Sequence, residues 1–521
     1  MDAYRRDVVA EEVHVHAPPA GSGRLRIALL FPSSYAVGMA NLAVQTLYGL
    51  LNSRGDVRCE RVFYPGIPER GRQREGVLRS VDEGTALGAF DVIAITSSFE
   101  LDWLNVPAAL KEGGVPVLSA DRPPQAPLVI AGGPAVTANP QPLAPMADAL
   151  FIGEAEPVIN PLLDLLLEHD RSSGAGREAI LEGLTEIPGF YVPAFVEQSL
   201  PIQRIALRDL DEVPTTTEIL SPHSEFPSTF LIETGRGCPR TCRFCLARQI
   251  YHPLRMRSAE SILRSAGEGL EHTNRIGLVG AAVAEHPKIE QIATQIVEMG
   301  GRVSTSSLRT EGVSEELLAA LAAGGQRTIT LAPETAVEEL AETLGKQISY
   351  EAIRDTVALA AKHSLTDVRL YFILGIPGET DAAAVAIADF VEALEREVPA
   401  IHITVSAGAL VPKPHTELQR SAVPGPDEVA RRMKILRKQL RSRTRAEVRL
   451  ASARWGAVQT VLGRGGRELA PVLTAAAGGG PGDFERALLQ EQLSLESYLE
   501  EQSGPMPWEV VADCLLQDAG Q

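Results

Sequence analysis

A chain of 521 residues, 45% hydrophobic and 22% charged, is too long for one small core and has the composition of a soluble globular protein. Its net charge of −18 argues against coating nucleic acid or an anionic membrane by bulk charge. No apolar run reaches the roughly 18 residues of a membrane-crossing helix, the N-terminus lacks a signal-peptide core, and five cysteines, three of them clustered, are no disulfide framework, so the expected compartment is the cytoplasm.

The first ordered element is "RLRIALLFPS", a buried strand running into a loop. Short apolar runs follow at Phe90–Ser98, Val115–Ala120, Pro127–Gly133 and Ala147–Glu154, with helical patterns at Met39–Ser53 and Leu104–Glu112. Continuous apolar strands alternating with helices predict an α/β, Rossmann-like, doubly wound parallel sheet over residues 1–170. Ligands of such sheets bind at the carboxyl ends of the strands.

Residues 171–225 read as a linker: a polar Gly/Ser patch at Arg171–Arg177, then Pro-rich irregular chain. A second series follows, with strands expected at Phe230–Thr234, Ile276–Ala281, Gly301–Ser306, Arg327–Leu331, Val368–Leu374 and Ile401–Ala407. Helices fit between them at Ala259–Glu271, Ile289–Met299, Ser314–Ala323, Tyr350–His363 and Asp381–Arg396. Six such units over 226–423 predict a partial (β/α)6 TIM-type barrel. Residues 424–521 read as a C-terminal helical region whose strongest helix starts at Pro426 and Asp427. Its stretch Arg431–Arg449 carries nine basic residues. With no stacking aromatics among them they read as a solvated face, which disfavours RNA as a partner.

Three cysteines follow the first strand of the second series, as Cys238-x3-Cys242-x2-Cys245 in "GRGCPRTCRFC". Barrel active sites are built at that end of the strands. Thiolates suit iron–sulfur clusters and zinc. Three of them on a cubane leave one iron open to a substrate. The alternative is a closed Cys3His zinc knot with His252 as fourth ligand, in a scaffold that binds RNA or protein.

The loop, with Phe244 before its last cysteine, resembles that of the radical SAM superfamily. So does "YFILGIPGET", which keeps Gly375, Gly378 and Glu379 of a fifth-strand motif. "STSSLR" resembles the third-strand segment, "LAPETA" the fourth and "LVPKPHT" the sixth-strand exit. The resemblance implies an enzyme in which Cys238, Cys242 and Cys245 hold a [4Fe-4S] cluster and S-adenosylmethionine chelates the fourth iron. One electron, from a donor such as a flavodoxin or ferredoxin, then cleaves the sulfonium to a 5′-deoxyadenosyl radical. It assigns S-adenosylmethionine contacts to Phe244, Ala281, Ser306, Arg309, Glu334, Gly375, Gly378 and Glu379. Gly280, Ala281 and Ala282 depart from the Gly-Gly-Glu-like second-strand stretch, which keeps backbone contacts and puts side-chain contacts in doubt. Arg236, Arg240, Arg243, Arg248, Arg255 and Arg257 place positive charge around the anionic cofactors or form a solvated surface.

The first domain resembles the cobalamin-binding module that precedes many radical SAM cores. In "SSYAVG" Ser33 and Tyr35 replace the module's Asp and His. Tyr35, Gly38, Ser98, Gly132 and Gly133 are the cobalamin candidates, and "GEAEP" resembles the module's closing segment. Cobalamin binding implies methyl transfer to an unactivated carbon; a degenerate domain that holds substrate is the alternative. A methylthiotransferase needs three more cysteines near the N-terminus, where only Cys59 occurs. Cys59 and Cys514 read as packing thiols. The longer pattern resembles an uncharacterised branch, and the substrate, small or macromolecular, stays unnamed.

Overall fold

The structure, a computed structural model, describes residues 3–16, 23–65, 77–171, 173–195, 201–305, 308–347 and 349–512. Ser306 and Cys514 lie outside them. The chain forms two compact units: residues 1–229 with 462–493 and 505–521, and residues 230–461 with 494–504.

The first unit is built on a six-stranded sheet. Its strands are β1 (Leu25–Phe31), β2 (Val57–Phe63), β3 (Val92–Thr96), β4 (Leu128–Gly132), β5 (Ala149–Phe151) and β6 (Phe190–Tyr191), in the order β2-β1-β3-β4-β5-β6. All pairs are parallel except β5–β6. The central strands are buried almost throughout, as expected where both faces of a parallel sheet are covered.

Strand β2 was not visible in the apolar pattern because Arg58, Glu60 and Arg61 interrupt it. Its buried charges are paired. Arg61 bonds Glu12 at 2.8 Å and Asp82 at 2.6 Å, and Glu60 accepts from the Ser80 hydroxyl. Val115–Ala120, expected as a strand, is irregular up to Leu118 and then enters the 3-10 turn Ser119–Asp121. The Arg122 guanidinium takes the Pro116 carbonyl at 3.0 Å and that of Val117 at 2.9 Å, in place of a ladder. The Gly/Ser patch before residue 177 starts a helix, Gly174–Glu186, where Ser173 Oγ accepts from Gly176 N. Strand β6 then closes the sheet edge. Helices Leu469–Ala475 and Pro481–Gln490 also belong to this unit. Asn139 Nδ2 bonds the carbonyls of Gly463 and Gly465 at 3.1 and 2.8 Å, and Arg467 Nε bonds Gln141 at 2.9 Å.

The second unit holds β7 (Phe230–Arg236), β8 (Arg255–Met256), β9 (Arg275–Gly280), β10 (Arg302–Thr305), β11 (Thr328–Glu334), β12 (Asp367–Leu374), β13 (His402–Ala409) and β14 (Glu447–Leu450). They pair as β8-β7-β9-β10 and β11-β12-β13-β14, and only β8 is antiparallel to its neighbour. Leu308 N bonds Thr330 O at 3.0 Å and links the two sets. The six expected strands are present in sequence order, each followed by a helix. Ser258, Ser314 and Ser349 cap three of those helices.

A seventh parallel strand, β14, was not expected. The helix that starts at Pro426 ends at Arg443 and does not run to Arg449. It stops at Thr444, whose backbone is extended and whose hydroxyl folds back on Leu440 O at 2.8 Å. Three of its seven basic residues are paired, Arg431 with Asp381, Arg432 with Glu379, and Arg443 with Asp389 and Glu392, while Lys434, Arg437, Lys438 and Arg441 are exposed. No helix among the described residues is long and apolar enough to cross a membrane.

Candidate functional site

Strand β7 is followed by Gly237, at φ +87°, where a Cβ would stand 2.6 Å from the Tyr251 carbonyl. Only glycine turns here without strain or collision. The chain then enters the cysteine loop. Cys242 is buried, Cys238 and Cys245 partly so. Cys245 N approaches Cys242 O at 3.4 Å, and Cys245 opens the short helix Leu246–Ile250. Burial pushes the Cys245 thiol up, and the neighbouring Cys242 and Cys238 act in the same direction, so the three sulfurs share one electrostatic neighbourhood. Among the described residues no group of three His, Cys, Asp or Glu is drawn together around a single ion. A cubane asks for something different: one thiolate on each of three irons.

The arginines around the loop act as clamps. Arg236 and Arg257 share Glu233 at 2.9 and 2.8 Å. Arg240 holds Glu285 at 2.6 Å, and Arg243 and Arg248 reach Glu417 at 3.2 and 3.7 Å. Arg255 bonds the Pro253 and Tyr251 carbonyls. Glu233, Glu285 and Glu417 thus hold five of the six guanidiniums around the loop.

The loop docks on the exits of later strands. Arg243 N bonds Leu344 O at 2.9 Å, and Leu418 N bonds Arg243 O at 3.3 Å. Gly345, at φ +63°, lets the Thr241 carbonyl come within 2.9 Å of where a Cβ would sit. Phe244 packs against an apolar cluster of Leu340, Leu344, Ile376, Leu410 and Leu418. One aromatic side chain therefore ties the cysteine loop to the β12 and β13 exits.

Polar residues gather at the same strand ends. Arg309, after β10, points Nη1 at Cys242 Sγ, 3.6 Å away. Glu334 ends β11 at φ +66°, buried, and accepts from Lys346 Nζ at 2.6 Å. Burial raises the Glu334 carboxyl above its ordinary value, while Lys346 and Arg309 oppose that shift. Lys346 was not singled out in the sequence; nothing in its local pattern marks it. Gly375 and Gly378 turn at φ +88° and +83°. The Glu379 carboxylate accepts from Gly375 N and from Arg432 Nη1 at 2.7 Å, so it holds this turn from inside. Ala281 is exposed at the β9 exit, after the bulge that sets Gly280 beside Gly235.

In the first unit the cobalamin candidates separate. Ser98, Gly132 and Gly133 come together at the carboxyl ends of β3 and β4: Ser97 N bonds Gly132 O at 2.9 Å, and a Cβ on Gly133 would meet Ser97 O at 2.5 Å. Asn41 Nδ2 joins them through Ser98 Oγ at 2.9 Å. Tyr35 does not: it is 1% exposed, bonds Glu12 and Ser221, and packs its ring edge on Phe63 at 5.3 Å. Burial raises its hydroxyl far above the usual range, so it stays a neutral donor. Gly38 makes room for Phe63, 2.3 Å from where its Cβ would lie. Beyond Ser98 the sequence reading missed Asp102, pushed up to about 7 by burial and by the neighbouring Glu100.

Residues 43–193 match the family model of "Radical SAM proteins, N-terminal", and residues 232–391 that of the "Radical SAM superfamily". An uncharacterized protein of Methanocaldococcus jannaschii is 30% identical over 400 residues, 75% of this chain and 79% of that one. An uncharacterized methyltransferase of Pyrococcus horikoshii is 26% identical over 281 residues, 51% of this chain and 58% of its own length. Among solved structures, the radical S-adenosylmethionine methyltransferase TsrM from Kitasatospora setae, with cobalamin and a [4Fe-4S] cluster bound, superposes with a TM-score of 0.51. The match is 14% identical and covers 76% of this chain and 74% of TsrM, which makes it a likeness of fold.

Proposed function

This chain belongs to the radical SAM superfamily of enzymes, and on that premise we propose that Cys238, Cys242 and Cys245 ligate its [4Fe-4S] cluster. The observation that carries the reading is the gathering of three thiols, Arg309 and the Lys346–Glu334 pair at the carboxyl ends of successive parallel strands. The donor set fits the group: three soft thiolates, one guanidinium beside a sulfur, and an arginine-rich loop around an anionic cluster. When bound, the cluster supplies one electron and an open iron for S-adenosylmethionine, whose reductive cleavage yields the 5′-deoxyadenosyl radical.

The chain's own residues bind and orient. Arg309 donates toward Cys242 Sγ, which stabilises thiolate charge. Lys346 fixes the Glu334 side chain, whose carboxyl oxygens accept hydrogen bonds from the ribose or amino group of S-adenosylmethionine. The Gly375–Gly378 turn presents backbone to the adenosyl portion, and Glu379 fixes that turn. Electrons come from a small carrier such as a flavodoxin or ferredoxin.

For the first unit we favour cobalamin, which would supply a methyl group for transfer to an unactivated carbon. The fold likeness to TsrM and the edge of Ser98, Gly132 and Gly133 support this. Cobalamin is then held through that edge and Asn41, because Tyr35 is turned into the core. The burial of Tyr35 also favours a second reading, in which the unit holds substrate without cobalamin. Iron and sulfide analysis of the anaerobically reconstituted protein, with a hydroxocobalamin titration followed by visible absorbance, tests both. About four irons per chain and saturable cobalamin binding are expected. One zinc and no sulfide contradicts the cluster, and no saturation selects the second reading.

A further inference from the structure

Strand β12 has two unlike faces. Val368, Leu370, Phe372 and Leu374 are buried, and the alternate positions Arg369, Tyr371 and Ile373 face the other way. The parallel register sets Tyr371 beside Ser406, and Ser406 beside Arg449, in one row across three strands. The row behind it runs Arg369, Thr404, Glu447. Strands flank β12 on both sides, yet Tyr371 is 41% exposed. A tyrosine in mid-sheet keeps that much surface only where its face is open.

Arg369 is partly buried, and its Nε is buried with no hydrogen-bond partner among the described residues. A buried guanidinium N–H without an acceptor is unfavourable, and an anionic oxygen satisfies it. Arg449 lies within electrostatic reach of Tyr371 and bonds Glu447 at 2.9 Å. Both members of that ion pair are exposed, so it opens readily to an entering anion. His402 and Asp367 pair in the next row back, at the start of the strands. The open face therefore offers two guanidiniums and a phenol, all able to donate, in two adjacent rows of fixed spacing. Planar guanidinium forks are suited to carboxylate and phosphate.

We propose that Arg369, Tyr371 and Arg449 form the binding site for the anionic group of the substrate, a small molecule carrying a carboxylate or a phosphate. Tyr371 precedes the end of β12 by three residues, roughly 10 Å at ~3.3 Å per residue. The reacting carbon is then that far from the anion, level with the strand ends where the cysteine loop docks. Calling this molecule the substrate rests on the function proposed above; the anion site itself does not.

The test is calorimetric titration of the anaerobically purified full-length protein with inorganic phosphate and, separately, malonate, at matched ionic strength in chloride. Saturable binding of at least one is expected, weakened about tenfold or more in Arg369→Gln and in Arg449→Gln. Glu447→Gln, which removes the competing carboxylate, tightens binding, a gain that misfolding cannot produce. A phosphate-only response assigns a phosphoryl group, and a malonate-only response a carboxylate. No saturable binding of either probe, or unchanged affinity in both arginine variants and in Glu447→Gln, overturns the proposal. The readout uses no S-adenosylmethionine, so a protein that binds phosphate but never cleaves S-adenosylmethionine counts against the proposed function alone.

Discussion

Lys346 Nζ donates to Glu334 Oε1 at 2.6 Å, and both side chains are buried. Removing one member of such a pair strands the other charge. Lys346→Met should therefore destabilise the fold by about 3 kcal/mol in denaturant unfolding, and Lys346→Met with Glu334→Gln should recover much of it. The pH dependence has a definite sign. Glu334 is raised in the folded state, so its contribution is complete below the ordinary carboxylate value and lost as pH rises through the folded value. Without Lys346 that folded value rises further, and the loss at neutral pH grows.

Asp102 gives a second pH signature. Its folded value of about 7 lies above the ordinary 3.8, so its contribution is present below about pH 4 and lost by pH 7. Asp102→Asn should flatten the stability–pH profile across that window and stabilise the protein at pH 8, on the order of 2 kcal/mol. Thermal midpoints measured from pH 4.5 to 8 check it; an identical profile in both proteins counts against it.

The clamps on the cysteine loop should differ in weight. Glu233 is mostly buried and serves two guanidiniums, whereas Glu417 and Arg243 are about half exposed. Glu233→Ala should cost about 3 kcal/mol and lower iron retention. Glu417→Ala should cost less than about 1 kcal/mol and leave iron content unchanged.

Tyr35→Phe separates structure from cofactor binding in the first unit. Its hydroxyl bonds Glu12 and Ser221 in the core, so the change should cost about 1–2 kcal/mol. Cobalamin affinity and the visible spectrum of the bound corrinoid should not move. A spectral shift in this variant identifies Tyr35 as a cobalt ligand and contradicts its placement.

Strand–helix alternation was legible where apolar or alternating runs recur between helical patterns, which covers β1, β3, β4, β5 and the six parallel strands from β7 to β13. Strand β2 was hidden because its charges are paired inside the fold, through Arg61 with Glu12 and Asp82. Strand β14 was hidden because its Arg and Glu continue the charge pattern of the preceding helix. Cysteine spacing and the Gly375 turn are local, and so visible in one dimension. The work of Lys346, the inward role of Glu379 and the burial of Tyr35 depend on contacts made only in three dimensions.

The most direct test of the central claim is 5′-deoxyadenosine formation by anaerobically reconstituted protein given S-adenosylmethionine and a strong reductant. The account predicts formation by the wild-type protein and loss to background in Cys242→Ala, with Arg309→Gln in between. Formation at an unchanged rate in Cys242→Ala contradicts it.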